Sequence, residues 1–116
     1  MARIKKIVPL TEATYLILMS LVKPLHGYGI MQKIEAISEQ RVKMGPGTLY
    51  GGLSSLVEKR LIRKMDDSTT ADDGDRKKMY VITELGLEVL EKEYLRLKQL
   101  VTIGKDIFNH GEKIDG

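Results

Sequence analysis

From Thr83 to about Phe108 the chain reads as one helix, because Leu87, Leu90, Tyr94, Leu97, Val101, Gly104 and Phe108 fall at alternating spacings of three and four. That is the a/d pattern of a coiled-coil seam held for about three heptads, with Thr83 placed as N-cap and charged Glu91, Lys92, Glu93, Arg96 and Lys98 filling the other positions. At 116 residues the chain is one domain by length. A long helix that follows an already complete domain has little core of its own to cover, so it is expected to pack against a second copy. Folding back onto its own domain is the alternative.

The preceding residues supply that domain. Thr11 is a good N-cap, with Leu10 and Tyr15 placed for a hydrophobic staple, and its helix is expected to run to about Val22 before Pro24 ends it. This helix has two apolar faces, Ala13, Leu16, Ile17 and Leu21 on one and Tyr15, Leu18, Met19 and Val22 on the other. A small monomer needs one. The second is expected to meet a partner chain, the alternative being a helix buried centrally. A second helix is predicted over about Gly27 to Ser38, with Ile30, Ile34 and Ile37 at helical spacing. A turn to Gly45 leads into a third helix at Pro46, giving a helix-turn-helix. Leu61 to Met65 and Lys78 to Thr83 read as strands joined by a loop rich in Asp, Ser, Thr and Gly. The fold expected is mainly α with a small β-wing (α+β). Residues 1–83 form a winged helix-turn-helix domain with an N-terminal arm, and residues 84–116 a C-terminal dimerisation helix and tail.

The third helix carries the chemistry. Pro46 suits the first helical position, and Leu49, Leu53, Leu56 and Val57 make one buried stripe. The opposite side carries Thr48, Gly51, Gly52, Ser54 and Ser55, an almost bare front suited to a DNA groove. Each mid-helix glycine weakens a helix by about 1 kcal/mol relative to alanine, so packing must hold this one. Thr48, Ser54 and Ser55 are short enough to reach base edges, and Tyr50 can donate its O–H to a phosphate. Thr48 reads equally well as a first-turn cap. Arg41 and Lys43 before the helix, Lys59 after it, the arm of Arg3, Lys5 and Lys6, and Arg76, Lys77 and Lys78 at the base of the wing are candidate phosphate contacts.

Charge supports this placement. Met1 to Lys64 holds 11 Lys+Arg against 4 Asp+Glu, whereas Met65 to Gly116 holds 8 against 12, so the overall +3 hides a basic half that contains the reading helix. Cations that neutralise phosphates release condensed counterions and give salt-dependent affinity. The acidic tip of the wing, with Asp66, Asp67, Asp72, Asp73 and Asp75, is expected to stay away from DNA.

Read together, His26-Gly27-Tyr28-Gly29-Ile30, Gly45-Pro46-Gly47-Thr48-Leu49-Tyr50, Arg76-Lys77-Lys78-Met79-Tyr80 and Thr83-Glu84-Leu85-Gly86 resemble the PadR family of bacterial winged-helix transcriptional regulators. The resemblance runs from about Leu10 into the last helix. It implies a homodimeric repressor whose terminal helices make the interface, several relatives responding to small aromatic effectors or hydrophobic drugs. Tyr28, in the second-helix motif, joins the DNA-facing set on this ground. The family commonly has Pro and Ala after the Tyr, where this chain has Gly51 and Gly52, and a small polar residue before the Pro, where it has Gly45. With no Trp present, Tyr15, Met19, Tyr94 and Phe108 are the lining available to an effector. The interface set is Tyr15, Leu18, Met19 and Val22 with Leu87, Leu90, Tyr94, Leu97, Val101 and Phe108.

Several classes fit poorly. Zero Cys removes thiolate metal sites and cysteine nucleophiles and suits a reducing cytoplasm. The greasy run from Tyr15 to Val22 is far shorter than the roughly 20 residues of a membrane span. His26 and His110 assemble no triad or metal pair, so neither catalysis, a cofactor nor a metal is expected. The expected partners are double-stranded DNA and a second copy. A winged domain that accepts a partner protein on its Gly-Gly face, or one that binds structured RNA, is the rival reading.

Overall fold

The computed structural model describes residues 7–65 and 78–108. Helix α1 spans Glu12–Ser20, and Thr11 caps it by accepting the Thr14 N–H at 3.1 Å. A two-residue strand β1, Leu25–His26, leads directly into helix α2, Gly27–Ile37. Helix α3 is Pro46–Glu58, strands β2 and β3 are Ile62–Met65 and Met79–Ile82, and helix α4 is Glu84–Phe108. Among the described residues the strands form one antiparallel sheet in the order β1-β3-β2, registering Leu25 with Tyr80 and Ile62 with Ile82. The fold is thus mainly helical with a small wing, as expected, plus a two-residue strand, β1, too short for the sequence pattern to mark.

Both helices of the helix-turn-helix end in the same way. After α2 the Gln40 N–H reaches back to the Glu35 carbonyl at 2.7 Å and Glu39 N–H to Ala36 at 3.1 Å; after α3 Leu61 N–H reaches Leu56 and Arg60 N–H reaches Val57, each at 3.0 Å. These are paired C-terminal caps, which need a left-handed residue just past the helix. Here it is not glycine. Glu39 and Gln40 adopt φ of 54° and 67°, and Arg60 65°. The turn is held instead by Ser38, whose Oγ accepts the Val42 N–H at 3.0 Å, and by an ion pair from Arg41 to Glu12 at the start of α1.

Leu49, Leu53 and Leu56 on α3 meet Ile17, Leu18 and Leu21 from the first helical segment and Ile30 and Ile34 on α2 in one core. Helix α4 enters that core through its first turns. Thr83 accepts the Gly86 N–H at 3.0 Å and donates its hydroxyl to the Arg60 carbonyl at 2.7 Å. A Cβ on Gly86 would lie 2.1 Å from the Leu61 carbonyl oxygen, so only glycine lets the helix sit this close to the chain entering β2. Val89 and Leu90 are buried behind it. One turn further, Glu93 is only 1% exposed, and its carboxylate accepts the Leu10 N–H at 2.6 Å and the Arg96 guanidinium at 2.7 and 3.0 Å. Past Arg96 most side chains of the helix are exposed, among them Leu100, Val101, Ile103, Ile107 and Phe108.

Two residues assigned to the partner surface are therefore corrected. Leu18 has no exposed surface and lies in the core of its own domain, and Leu90 lies there too, 5% exposed, with only an edge showing in the open hollow beside Met19 and Tyr94. Glu93, read as one of the solvated charges around the seam, is buried because a distant backbone N–H needs an acceptor there.

Candidate nucleic-acid interface and partner surface

Burying Leu49, Leu53 and Leu56 fixes the rotation of α3 and turns Gly47, Thr48, Gly51, Ser54 and Ser55 outward, all exposed. A Cβ on Gly47 or Gly51 would meet open space, so none of the described residues lies against that face at these two positions. Gly52 differs. Its added Cβ would come 3.2 Å from Ile17, so the second glycine of the pair serves the packing of α3 on α1 and leaves the bare face to its neighbours. Exposed Glu58 falls on the same outward side, one turn beyond Ser54, an acid that the reading of the groove face omitted.

The surrounding candidates are unevenly placed. Tyr28 is 67% exposed at the first turn of α2, and Tyr50 is about half exposed with its ring turned toward that turn. Adding a Cβ to Gly27 would put it 2.1 Å from the Tyr50 hydroxyl oxygen, so the glycine of the His-Gly-Tyr motif makes room for this ring. Pro24, His26, Gly29 and Met79 complete a hollow of about 430 Å³ between the two tyrosines and the edge of the sheet. Burial, and then Tyr50 nearby, push the Tyr80 phenol up from its ordinary pKa. Lys43 and Lys59 are exposed, and Lys78 is half-buried at the root of β3. Arg41 is exposed but engaged. Its hydrogen bond to Glu12 raises the guanidinium and lowers the carboxyl, so a phosphate contact there must displace a carboxylate. Arg3, Lys5, Lys6, Arg76, Lys77, the acidic tip of the wing and His110 lie outside the described residues.

The other surface runs along α1 and α4. Val22, Leu87, Tyr94, Val101 and Phe108 are exposed, while Tyr15, Met19 and Leu97 are half-buried. Leu95, Leu100, Ile103 and Ile107 are exposed apolar residues that the seven-residue seam did not include; Leu100, Ile103 and Ile107 follow one another at helical spacing, a signal present in the sequence. Met19, Leu87, Leu90 and Tyr94 line a hollow of about 650 Å³ rimmed by Glu84, Glu88 and Glu91. Burial, then the neighbouring Tyr94 and Glu93, raise the Tyr15 phenol. The proposed effector lining is not gathered in one place on the chain. Tyr15, Met19 and Tyr94 converge, whereas Phe108 stands fourteen residues, about 21 Å, along α4 and borders a separate hollow of about 250 Å³ with Val101, Gly104 and Lys105.

Among the described residues no group of three or more His, Cys, Asp or Glu is arranged to hold a metal ion, and no helix is long and apolar enough to cross a membrane.

Comparison with known proteins places this geometry. Residues 16–92 match the transcriptional regulator PadR-like family. The chain is 39% identical over 83 residues, 71% of its length, to an uncharacterized 37.1 kDa protein in a transposon of Streptomyces fradiae, and it spans about a fifth (22%) of that relative. Among solved structures, a transcriptional regulator from Clostridium thermocellum superposes with a TM-score of 0.66 at 16% identity, covering 85% of this chain and 98% of that one. RosR of H. salinarum gives 0.64 at 22% identity, covering 86% and 94%. A PadR family transcriptional regulator from Eggerthella lenta gives 0.63 at 24% identity, covering 83% and 81%. At these identities the likeness establishes the fold.

Proposed function

Because the chain belongs to the PadR-like family of transcriptional regulators, we propose that it binds duplex DNA sequence-specifically as a homodimer, α3 of each copy entering one major groove. The observation that carries this reading is the outward face of α3, where Gly47, Thr48, Gly51, Ser54 and Ser55 leave backbone and short hydroxyls open to a base-pair edge. A two-fold dimer reads a pseudo-palindrome whose half-sites lie about 34 Å apart or a multiple of that. Tyr28 and Tyr50 flank the first turn of α2 and take a phosphate there. Lys43, Lys59 and Lys78 contact the backbone around them, and Lys5, Lys6, Arg76 and Lys77 belong to the same set by charge. Repression by occupying an operator, in the cytoplasm where that DNA is, is the mode the family supports. A small aromatic effector has Tyr15, Met19 and Tyr94 as its lining.

Gel shift of genomic fragments across a salt series tests the reading. An inverted repeat is selected, and log K falls steeply with log salt, by about 0.9 for each phosphate neutralised. Tyr50→Phe weakens binding without unfolding the chain. Affinity with no sequence preference and a shallow salt slope would instead mean that the face of α3 receives a protein.

A further inference from the structure

Given the DNA-binding reading, we infer that Glu12 is a phosphate mimic, which holds Arg41 in the free protein and yields it to a backbone phosphate when duplex DNA docks at the start of α3. The two residues come from different elements. Arg41 lies in the turn between α2 and α3, shortly before Gly45, the N-cap of α3, and Glu12 is the first residue of α1. The Arg41 guanidinium donates to the Glu12 carboxylate across that gap. A guanidinium grips carboxylate and phosphate with the same fork of N–H donors, so one side chain serves either anion. The side chains stay 64% and 52% exposed, which leaves the pair open to a competitor. Lys43, two residues further on, is exposed as well, so a phosphate drawn to the start of α3 meets both cations.

The exchange is a movement of side chains alone. The Arg41 N–H donates to the Ser38 carbonyl at 3.0 Å and the Val42 N–H donates to the Ser38 hydroxyl at 3.0 Å, so the backbone around the guanidinium is fixed without Glu12. Glu12 is fixed without Arg41. Thr11 caps the helix that Glu12 begins, and the Leu10 N–H is held by the Glu93 carboxylate at 2.6 Å. After the exchange the carboxylate keeps a favourable surrounding, because it lies in the first turn of α1, where the partial positive charge of a helix N-terminus stabilises an acid. An exposed ion pair is weakly held in water, so a phosphate placed by docking is enough to take the guanidinium over.

The result is a cation whose charge counts only after docking. In the free chain Glu12 cancels it, which reduces the loose attraction of the basic half to any polyanion. Because the contact is to a phosphate, its effect is the same on every sequence.

Salt dependence reads the exchange directly. Binding is followed by fluorescence anisotropy across a salt series, on the inverted repeat that the wild-type chain selects and on an unrelated duplex of equal length, for the wild-type chain, Glu12→Gln, Arg41→Gln and the double variant. At low salt Glu12→Gln tightens binding to both duplexes by about fivefold for each copy, and it steepens the fall of log K with log salt by about 0.9 for each copy, one further phosphate neutralised. Arg41→Gln abolishes both gains in the Glu12→Gln chain and costs far less when made alone. Because Glu12 is exposed, its replacement leaves the urea midpoint close to that of the wild-type chain. A Glu12→Gln chain that binds more weakly, or one whose affinity and slope match the wild-type values while the inverted repeat is still selected, overturns the exchange and leaves the DNA reading standing. A wild-type chain that binds neither duplex at any salt removes the DNA reading, and the exchange with it.

Discussion

The two halves of α4 have the same kind of sequence and opposite surroundings. Val89 and Leu90 are buried against the winged domain, whereas Leu100, Ile103 and Ile107 are half or more exposed on the same helix a few turns later. Composition does not separate them; neighbours do. An isolated helix shorter than about 12 to 15 residues is marginal in water, and full burial of one Leu or Ile side chain contributes about 1.5–3 kcal/mol. The first half draws that stabilisation from α1 and β3, whereas the second half finds no such cover among the described residues.

The sharpest way to break this contrast is to push the first half off the domain. In Gly86→Ala the new Cβ meets the Leu61 carbonyl oxygen at 2.1 Å and Ile82 Cγ1 at 2.7 Å, and the backbone oxygen has no room to retreat. Overpacking of this kind destabilises by about 3 kcal/mol, at the upper end of its usual range. Urea unfolding should show it as a lowered midpoint, and an unchanged midpoint would mean that the start of α4 is not held against the entry to β2.

A smaller effect is expected where the two halves meet, at Glu93 and Arg96. Arg96→Met leaves the buried carboxylate with the Leu10 N–H alone, a loss of about 2 kcal/mol, less than for a fully enclosed pair because the guanidinium side chain is 40% exposed. The pH dependence follows from the direction of the shift. The Arg96 hydrogen bonds hold the Glu93 carboxyl below its ordinary value, burial opposes them, and the Leu10 N–H adds to the lowering. A depressed folded-state value stabilises the fold above the unfolded carboxyl range, near about pH 4.3, and that contribution is lost as pH falls through the folded value. The gap between the wild-type chain and Arg96→Met should therefore be widest near neutrality and close on acidification. A gap independent of pH would show that the side chain acts through packing alone.

What the sequence made legible, and what it did not, divides along the same line. Thr11, Pro46 and Thr83 mark helix starts through local chemistry, and the starts of α1, α3 and α4 agree with them. The end at Ser38 follows from the apolar spacing and agrees with the structure, but no cap chemistry marks it or the end at Lys59, because Glu39 and Arg60 occupy left-handed positions where glycine is the usual sign. Strand β1 has two residues, too few for any alternation, and exists only because Met79 and Tyr80 come to lie beside it. Gly52 looks like Gly51 until Ile17 is in place. Leu90 and Leu87 share one heptad pattern, and only the packed domain reveals that the first faces inward. Glu93 is the clearest case: its spacing marks it as solvated, and its burial depends on a backbone N–H eighty-three residues away. The face of α3 was legible because one helix alone determines it. The partner surface was legible only in outline, since it depends on which apolar residues the domain has already used.

The smallest expected change tests the second half by itself. Gly104 is half-buried on an otherwise exposed stretch, and a Cβ there meets Phe108 at 3.8 Å, an ordinary contact. Replacing a mid-helix glycine with alanine stabilises a helix by about 1 kcal/mol or slightly less. In Gly104→Ala, unfolding followed at concentrations low enough to keep chains apart should therefore shift upward by up to that amount, the opposite sign from the same substitution at Gly86. If a second copy packs over Gly104, the added methyl takes up space that it needs, and self-association should weaken as monomer stability rises. Sedimentation and urea unfolding on one variant would then move in opposite directions. A gain in both would show that the glycine is there for reasons other than making room, and that the contrast between the two halves of α4 ends at exposure.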